Sequence, residues 1–262
     1  MGLLGIVVGA ALLVVASSAS AKTCRPDYVV RDPSVSAADR DIRDRGWMCR
    51  PDMIDFFWRG HGFDKNDWNK GRGYGAPCDV TFPLARTFNG LYVLNYGLAP
   101  NHAKRTSDFS GPMVRWGANY VLHKIDELDG KCEGAGGGLN ARSYSGAFVD
   151  DRVELYSPFF FSQTSSLRAA ILFHEARHAA GYSHTAPGSC SARVKGTCDK
   201  WFDGKSPMSY HVRWLAGYAK RATRVAKDVR DRAYDEAQSR CAENFVRRAQ
   251  GVCSRFVDAN SK

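Results

Sequence analysis

One eleven-residue segment limits the local fold of this chain more than any other, HEARHAAGYSH at residues 174–184. On a helix, His174 and His178 lie one turn apart and project from the same face. Gly181 allows the chain to leave that helix through a backbone conformation that is costly to other residues. The segment therefore predicts a helix whose exit brings His184 back toward the first two histidines.

Three imidazoles brought together in this way are a donor set typical of a catalytic zinc ion. Each ring nitrogen can reach the ion at ~2.0–2.1 Å, and three protein ligands leave a fourth position open. Glu175 points to the neighbouring side of the helix, where its carboxylate can take a proton from water that the metal activates. The pattern predicts one zinc ion held by His174, His178 and His184, with Glu175 as the general base.

The same segment resembles the H-E-x-x-H-x-x-G-x-x-H motif of the metzincin zinc metalloendopeptidases. A second element, Ser-Pro-Met-Ser-Tyr at residues 206–210, is similar to the Met-turn beneath the zinc ion in that clan. The resemblance implies that Met208 supports the site. It also implies that Tyr210 ligates zinc or stabilises the transition state, as in the astacin and serralysin families. It implies further that a strand near residues 153–156 is the edge strand that pairs with substrate.

The third metal ligand has an alternative. The stretch Gly-Thr-Cys-Asp at residues 196–199 is similar to the aspzincin pattern, in which an aspartate after Gly-Thr completes the site. Asp199 is one position too close for that pattern, and His184 already supplies a third ligand. His184 is therefore the predicted ligand, with Asp199 or Asp203 as the alternative.

Apolar periodicity along the rest of the chain indicates an α+β protein. Helices are predicted over residues 114–130 and 167–180, and strands over residues 91–96, after the turn residues Asn-Gly, and 152–156. A long amphipathic helix or helical pair is predicted from Tyr218, with an apolar stripe to Phe245 and a stop at Gly251.

The resemblance implies that these elements form a single metzincin-like domain over residues 22–262, with two lobes around a cleft. The upper lobe would end at about residue 184, and the lower lobe with the C-terminal helices would cover residues 185–262. A chain of 262 residues with 44% apolar content is long enough to bury a sizeable core, which excludes a mainly disordered protein.

The N-terminus predicts export. Residues 1–21 have no charged side chain, their apolar run is too short to span a bilayer, and they end in Ala-Ser-Ala, an A-x-A cleavage pattern. We therefore expect a signal peptide at residues 1–21 and a mature chain, without a transmembrane span, that is extracellular, or periplasmic in a Gram-negative bacterium. No Lys or Arg precedes the apolar run, so an uncleaved N-terminal anchor is the alternative.

Cysteine usage agrees with an oxidising compartment. All eight cysteines follow the predicted signal peptide, at positions 24, 49, 78, 132, 190, 198, 241 and 253. An even number in an exported chain indicates disulfides. Only seven residues separate Cys190 from Cys198, and so short a loop closes easily. We predict a local disulfide between these two.

The net charge of +10 favours anionic partners such as nucleic acid, wall polymer or lipid. Residues 213–262 contain 12 Lys and Arg against 6 Asp and Glu, so the predicted C-terminal helices carry a basic face. We expect this face to be the solvated side of helices that pack on the core, with a contact surface for anionic partners as the alternative. The predicted function is a secreted zinc metallopeptidase acting on protein or peptide substrates. Two alternatives stay open: a secreted basic binding protein with a non-catalytic zinc site, and a zinc hydrolase of a non-peptide bond.

Overall fold

The computed structural model describes residues 49–63, 68, 78–97, 113–131, 139–146, 149–186, 190, 198–222 and 225–261. Eight helices and one three-stranded sheet lie in these ranges, which agrees with the predicted α+β class. None of these helices combines the length and apolar character that crossing a membrane requires. The predicted signal peptide, Cys24 and Cys132 lie outside the described residues.

The helices, in chain order, are α1 (Pro51–Gly60), α2 (Pro83–Tyr96), α3 (Met113–Leu122), α4 (Ser157–Phe161), α5 (Ser165–Ala179), α6 (Pro207–Arg221), α7 (Lys227–Glu243) and α8 (Arg247–Ser261). The strands are β1 (Glu127–Gly130), β2 (Ala141–Gly146) and β3 (Val149–Leu155). Helices α1, α2 and α6 each begin with a proline, which is favourable because the first helical N–H has no partner within the helix.

The sheet has the order β1-β3-β2, with β3 parallel to β1 and antiparallel to β2. The strand predicted over residues 152–156 is therefore confirmed as β3. Its expected position at a substrate-pairing edge is wrong, because β1 and β2 occupy its two sides. Among the described residues β2 is the outer antiparallel strand, and it packs against α5.

Helix α5 confirms the prediction over residues 167–180 and lies at the centre of the fold. It packs against α2, α3, α6 and the sheet, so nearly all of its side chains are buried. Thr164 begins the helix, since its Oγ1 accepts a hydrogen bond from the N–H of Leu167 at 3.3 Å. Burial on all sides places the polar side chains of Arg168, Glu175 and Arg177 inside the protein.

The strand predicted over residues 91–96 is wrong, since this segment is the second half of α2. Leu91, Val93 and Leu94 are all fully buried. The run is apolar because the protein encloses this half of α2 on all sides. Gly90, predicted as a turn residue, instead permits close helix packing. A Cβ atom there would lie 2.9 Å from the Cβ of Arg168 on α5.

The helix predicted over residues 114–130 is confirmed only as far as Leu122. The N–H groups of Lys124 and Ile125 bond the carbonyl of Val121 and close the helix, and β1 follows. Leu128 belongs to the apolar stripe by spacing, yet it is buried in the sheet as the partner of Val153. The local spacing of apolar residues does not show pairing with a later strand. The predicted helix therefore extends too far.

The long helical region predicted after Tyr218 consists of the end of α6 and two further helices, α7 and α8. The backbone becomes extended at Ala222 and leaves the helix again at Asn244. Gly251, predicted to end the region, lies inside α8. The predicted apolar stripe of α7 is confirmed, because Val229, Ala233, Ala237 and Cys241 are buried.

Within the described ranges three disulfides are present: Cys49–Cys78, Cys190–Cys198 and Cys241–Cys253. The predicted local disulfide between Cys190 and Cys198 is thereby confirmed. Buried apolar side chains from Met53 to Val257 form one core, so the two expected lobes share their packing. Their division around a cleft stays a prediction.

Candidate metal centre

Three histidines meet at the end of α5. The ring nitrogens of His174, His178 and His184 that face one another all lie within 4.8 Å. The Nε2 atoms of His174 and His178 are 3.1 Å apart. Tetrahedral bonds of ~2.0–2.1 Å hold ligand nitrogens about 3.3 Å from each other, so these imidazoles are spaced to hold one metal ion.

The turn after α5 is responsible for this arrangement. Gly181 has φ of 85°, in the left-handed region that favours glycine, and its N–H donates to the carbonyl of His178 at 2.8 Å. The chain reverses there, and His184 returns to the helix end. The conformation predicted for Gly181 is therefore confirmed.

Two of the imidazoles are oriented by hydrogen bonds at Nδ1, the ring nitrogen that faces away from the shared site. His178 Nδ1 donates to the carbonyl oxygen of Tyr182 at 2.7 Å, and His184 Nδ1 donates to Asp199 Oδ2 at 3.2 Å. Because each ring uses its Nδ1 hydrogen in this way, its Nε2 lone pair is left for the shared site. Such outer partners fix the tautomer and orientation of metal-binding histidines.

Asp199 is the larger of these outer supports. Its fully buried carboxylate also accepts hydrogen bonds from the N–H of Thr185 at 2.9 Å, Ser206 Oγ at 2.6 Å and the N–H of Met208 at 3.2 Å. Burial raises the pKa of Asp199, but the bonds from His184, Ser206 and Thr185 outweigh it and hold the pKa below its usual value. These bonds hold the carboxylate next to Nδ1 of His184, on the side of the ring away from the shared site.

The structure therefore favours His184 over the two alternative ligands. Asp199 contacts the outer nitrogen of His184 rather than the shared site. Asp203 accepts hydrogen bonds from the N–H groups of Lys205 and Ser206, which shapes the chain before α6.

Burial keeps the imidazoles of α5 uncharged. It lowers the pKa of His174 well below the usual value, and the nearby His178 and His184 act in the same direction. Burial also lowers the pKa of His178 to about 4. Neutral imidazole is the form that binds metal, so both rings are ready as ligands at pH 7.

Glu175 follows His174 on α5, and its side chain is buried. Ser143 Oγ, on β2, lies 3.0 Å from Glu175 Oε2 and 2.9 Å from the backbone carbonyl of Glu175. Burial raises the pKa of Glu175 to about 7, although the hydrogen bond from Ser143 lowers it. Sequence reasoning did not find Ser143, because only the packing of β2 on α5 brings it there.

Residues 206–210, predicted to form a Met-turn, begin helix α6 instead. Ser206 caps this helix, since its Oγ accepts from the N–H of Ser209 at 3.0 Å. Met208 lies buried in the first turn, and its N–H donates to Asp199, which in turn bonds His184. Met208 is thus connected to the site through its backbone.

Tyr210 packs on the side of α5 that presents Phe173. Its ring centroid lies 5.0 Å from that of Phe173 and 5.5 Å from that of Tyr120, so the side chain is buried in an aromatic cluster. These contacts give Tyr210 a packing role. Its predicted role as a zinc ligand or transition-state residue stays a prediction.

Arg177, inside the motif, connects α5 to the segment before α6. Its guanidinium donates to the carbonyls of Gly204 at 2.8 Å and Lys205 at 3.1 Å. The group also lies 3.3 Å from the ring centre of Tyr182 and 4.5 Å from that of Tyr210. These contacts of Arg177 hold two segments in place, the turn after α5 and the segment before α6.

Helix α6 adds a fourth imidazole. His211 is buried, and its ring centroid lies 5.9 Å from that of His174 with the ring planes at 87°. Burial lowers the pKa of His211 well below its usual value, and the charge of Arg240 acts in the same direction. Sequence reasoning missed His211, because its proximity depends on α6 packing against α5. Its position three residues after Met208 is the only local signal.

Comparison of the chain with protein-family models, with curated proteins and with solved structures finds no match.

Proposed function

We propose that this chain is a secreted zinc-dependent metallopeptidase. One observation supports the proposal most: three imidazole nitrogens converge at the end of α5, and Glu175, which follows His174 on that helix, has a buried side chain that feels the charge of His184. A purely structural zinc site has four protein ligands and needs no general base. Three histidines with an adjacent glutamate fit a catalytic site.

His174, His178 and His184 would hold the ion. Neutral imidazoles suit zinc, whereas magnesium and calcium prefer oxygen ligands. When bound, zinc supplies a Lewis acid that polarises a carbonyl group and lowers the pKa of water. The outer hydrogen bonds from Tyr182 and Asp199 orient two of the ligand rings.

Glu175 acts as the general base in this proposal. Its carboxylate takes a proton from the attacking water and gives it to the amine that leaves when the peptide bond breaks. Burial favours the protonated form of this carboxyl group, which helps it to take up the proton. Ser143 holds the carboxylate in place through the bond to Oε2.

The outer strand β2 supports a peptide as the substrate. Within the described part of the chain β2 pairs with β3 on one side only, and its residue Ser143 touches Glu175. An extended peptide can add to such an edge through main-chain hydrogen bonds. This arrangement would lay the scissile bond along the side of the site that carries the base.

Exposed basic side chains on α8 support an anionic contact surface. Arg247, Arg248 and Arg255 are exposed on this helix, in the region that carries much of the net charge. Their contact with an anionic polymer or lipid stays a proposal, independent of the peptidase.

Replacing Glu175 with Gln tests the proposed mechanism. Gln keeps the size of the side chain but cannot take up the proton, so zinc content should stay near one per chain while chelator-sensitive peptide hydrolysis falls by ~10²–10⁴. Metal analysis and digestion of an unbiased peptide library, with and without chelator, measure both quantities. Glu243→Gln makes the same chemical change on α7, where the carboxylate bonds only Ser239 among the contacts described, and should leave both unchanged.

A second substitution separates metal binding from turnover. His184→Ala leaves two protein ligands and should weaken zinc retention. Full peptidase activity in Glu175→Gln contradicts the mechanism. Zinc binding without any peptide cleavage by the wild-type protein would favour the two alternatives, a binding protein or a hydrolase of another bond.

A further inference from the structure

We infer that His211 is a positioning residue for His174, accepting a hydrogen bond from its Nδ1–H and so directing its Nε2 toward the metal ion. The inference rests on the proposed zinc site, and it is independent of which bond the protein cleaves. It assigns a role to an imidazole that belongs to neither the H-E-x-x-H segment nor the Met-turn-like segment.

The first step is that one ligand lacks the support that the other two have. His178 and His184 each use Nδ1 to bond a fixed oxygen, from Tyr182 and from Asp199. The Nε2 of His174 faces His178 Nε2, so Nδ1 is its outer atom. That Nδ1 is buried without a hydrogen-bond partner, which is unfavourable for a polar group.

The second step is that an unpaired acceptor lies next to this ring. His211 Nε2 is likewise buried without a partner. The two rings are neighbours at 5.9 Å between centroids and are nearly perpendicular. The rings must approach each other somewhat more closely than this to form a hydrogen bond, and one such bond would satisfy both buried atoms.

The third step is that the two rings are chemically complementary. A histidine that binds metal through Nε2 carries its hydrogen on Nδ1, so His174 must donate there. A neutral imidazole has one donor and one acceptor nitrogen, and His211 accepts at Nε2 when its hydrogen is on Nδ1. The bond would then give all three metal-binding rings an outer partner.

The fourth step is that His211 is held in position by the fold. It lies in the first half of α6, and its chain neighbours Tyr210 and Val212 are buried as well. Helix α6 packs directly on α5. An acceptor on a packed helix has little freedom, and this is what a positioning partner requires.

Three substitutions of His211 in the full mature chain test the inference. His211→Leu removes the acceptor, His211→Gln keeps a carbonyl oxygen near the position of Nε2, and His211→Asn places its amide near the position of Nδ1. Zinc affinity, measured by competition with a chromogenic chelator, should fall ~10–100-fold in the Leu and Asn variants and recover to within a few-fold in Gln.

Loss of packing has its own control. His61 is also buried, but it lies after α1 and contacts Asn95 of α2. His61→Leu should leave zinc affinity unchanged, and the melting temperature of each metal-free variant reports any general destabilisation. Histidine ¹⁵N NMR of the zinc-loaded wild type should show a His174 Nδ1–H protected from exchange, and this protection should be lost in His211→Leu.

The outcomes distinguish this inference from the proposed function. Unchanged zinc affinity in His211→Leu, or a loss equal to that of His61→Leu, overturns the role of His211 alone. Failure of the wild-type chain to bind zinc overturns both. Tight zinc binding that depends on the acceptor at position 211, in a protein that cleaves no peptide, supports the inference and contradicts the peptidase proposal.

Discussion

The carboxylate of Asp199 connects separate parts of the chain around the histidines. One of its oxygens accepts from the N–H and the Oγ1 of Thr185, and the other accepts from His184, Ser206 and Met208. A group that receives so many hydrogen bonds fixes the position of every donor. The orientation of His184 therefore depends on Asp199 as well as on the turn at Gly181.

Asp199→Asn should disturb the site without changing the size of the side chain. An amide replaces one acceptor oxygen with a donor, which then faces other donors and leaves buried groups unpaired. We expect the free energy of unfolding to fall by about 1–3 kcal/mol and zinc affinity to fall by ~10–100-fold. Chemical denaturation of the metal-free protein and chelator competition measure the two effects.

Asp235→Asn is the matched control, because Asp235 is exposed on α7. It should change neither the free energy of unfolding nor zinc affinity. If Asp199→Asn behaves like this control, His184 is oriented by the turn alone.

At the residue scale the sequence predicts what depends on local spacing. His174 and His178 share a helix, so their juxtaposition follows from helical geometry alone. Ser143 and His211 reach the site on other elements, and no local pattern places them there. The ring of Tyr210 packs against Phe173, and the ring of the next residue, His211, lies beside that of His174.

At the scale of elements, predictions succeed where a local pattern and the tertiary environment agree. Helix α5 and strand β3 have both a clear period and defined ends. The strand predicted over the second half of α2 is wrong because an enclosed helix has a continuous apolar run, which sequence spacing cannot distinguish from a buried strand. The predicted end of α3 is wrong because β1 continues the apolar spacing of the helix while it pairs with β3.

The turn between α5 and His184 is the element whose conformation matters most for the site. Gly181→Ala introduces a side chain at φ of 85°, and no atom lies within 4 Å of the added Cβ. The cost is therefore backbone strain rather than a clash, about 1–2 kcal/mol. Relief of that strain would move His184, so zinc affinity should fall along with stability.

Gly217→Ala is the control for this substitution. Gly217 lies inside α6, and an added Cβ meets nothing within 4 Å there either. Ala is favoured over Gly in a helix, so this variant should gain about 0.5–1 kcal/mol and keep its zinc affinity. Denaturant titration of both proteins makes the comparison. Equal effects at the two positions would exclude the left-handed turn as the cause.

At the scale of the whole molecule, the candidate site joins parts of one core. Helix α5 contributes two histidines, and the segment after it contributes the third together with Tyr182 and Asp199, which bond the rings. Helix α6 contributes His211 beside His174. One hydrophobic cluster includes side chains of α5, α6, α7 and the sheet. Binding at the site should therefore stabilise the folded chain globally rather than order only one loop.

Zinc should raise the thermal stability of this protein in a concentration-dependent way. A ligand that binds only the folded state adds about 2.7 kcal/mol at a free concentration of 100 times Kd. For a chain of this size each kcal/mol raises Tm by roughly 2–4 °C, so a shift of about 5–10 °C is expected. Differential scanning calorimetry across a series of buffered free zinc concentrations measures it. The disulfides are kept oxidised so that only metal occupancy changes.

His184→Ala and magnesium serve as the two controls for this shift. The variant keeps the fold but has one imidazole fewer, so its Tm should respond only at higher free zinc. Magnesium prefers oxygen ligands and should not raise Tm of either protein. Because a tetrahedral three-histidine group selects zinc by donor type, equal stabilisation by magnesium would point to non-specific binding at surface carboxylates. A Tm that is the same with zinc and with chelator would mean that the three histidines do not bind the ion in the folded state.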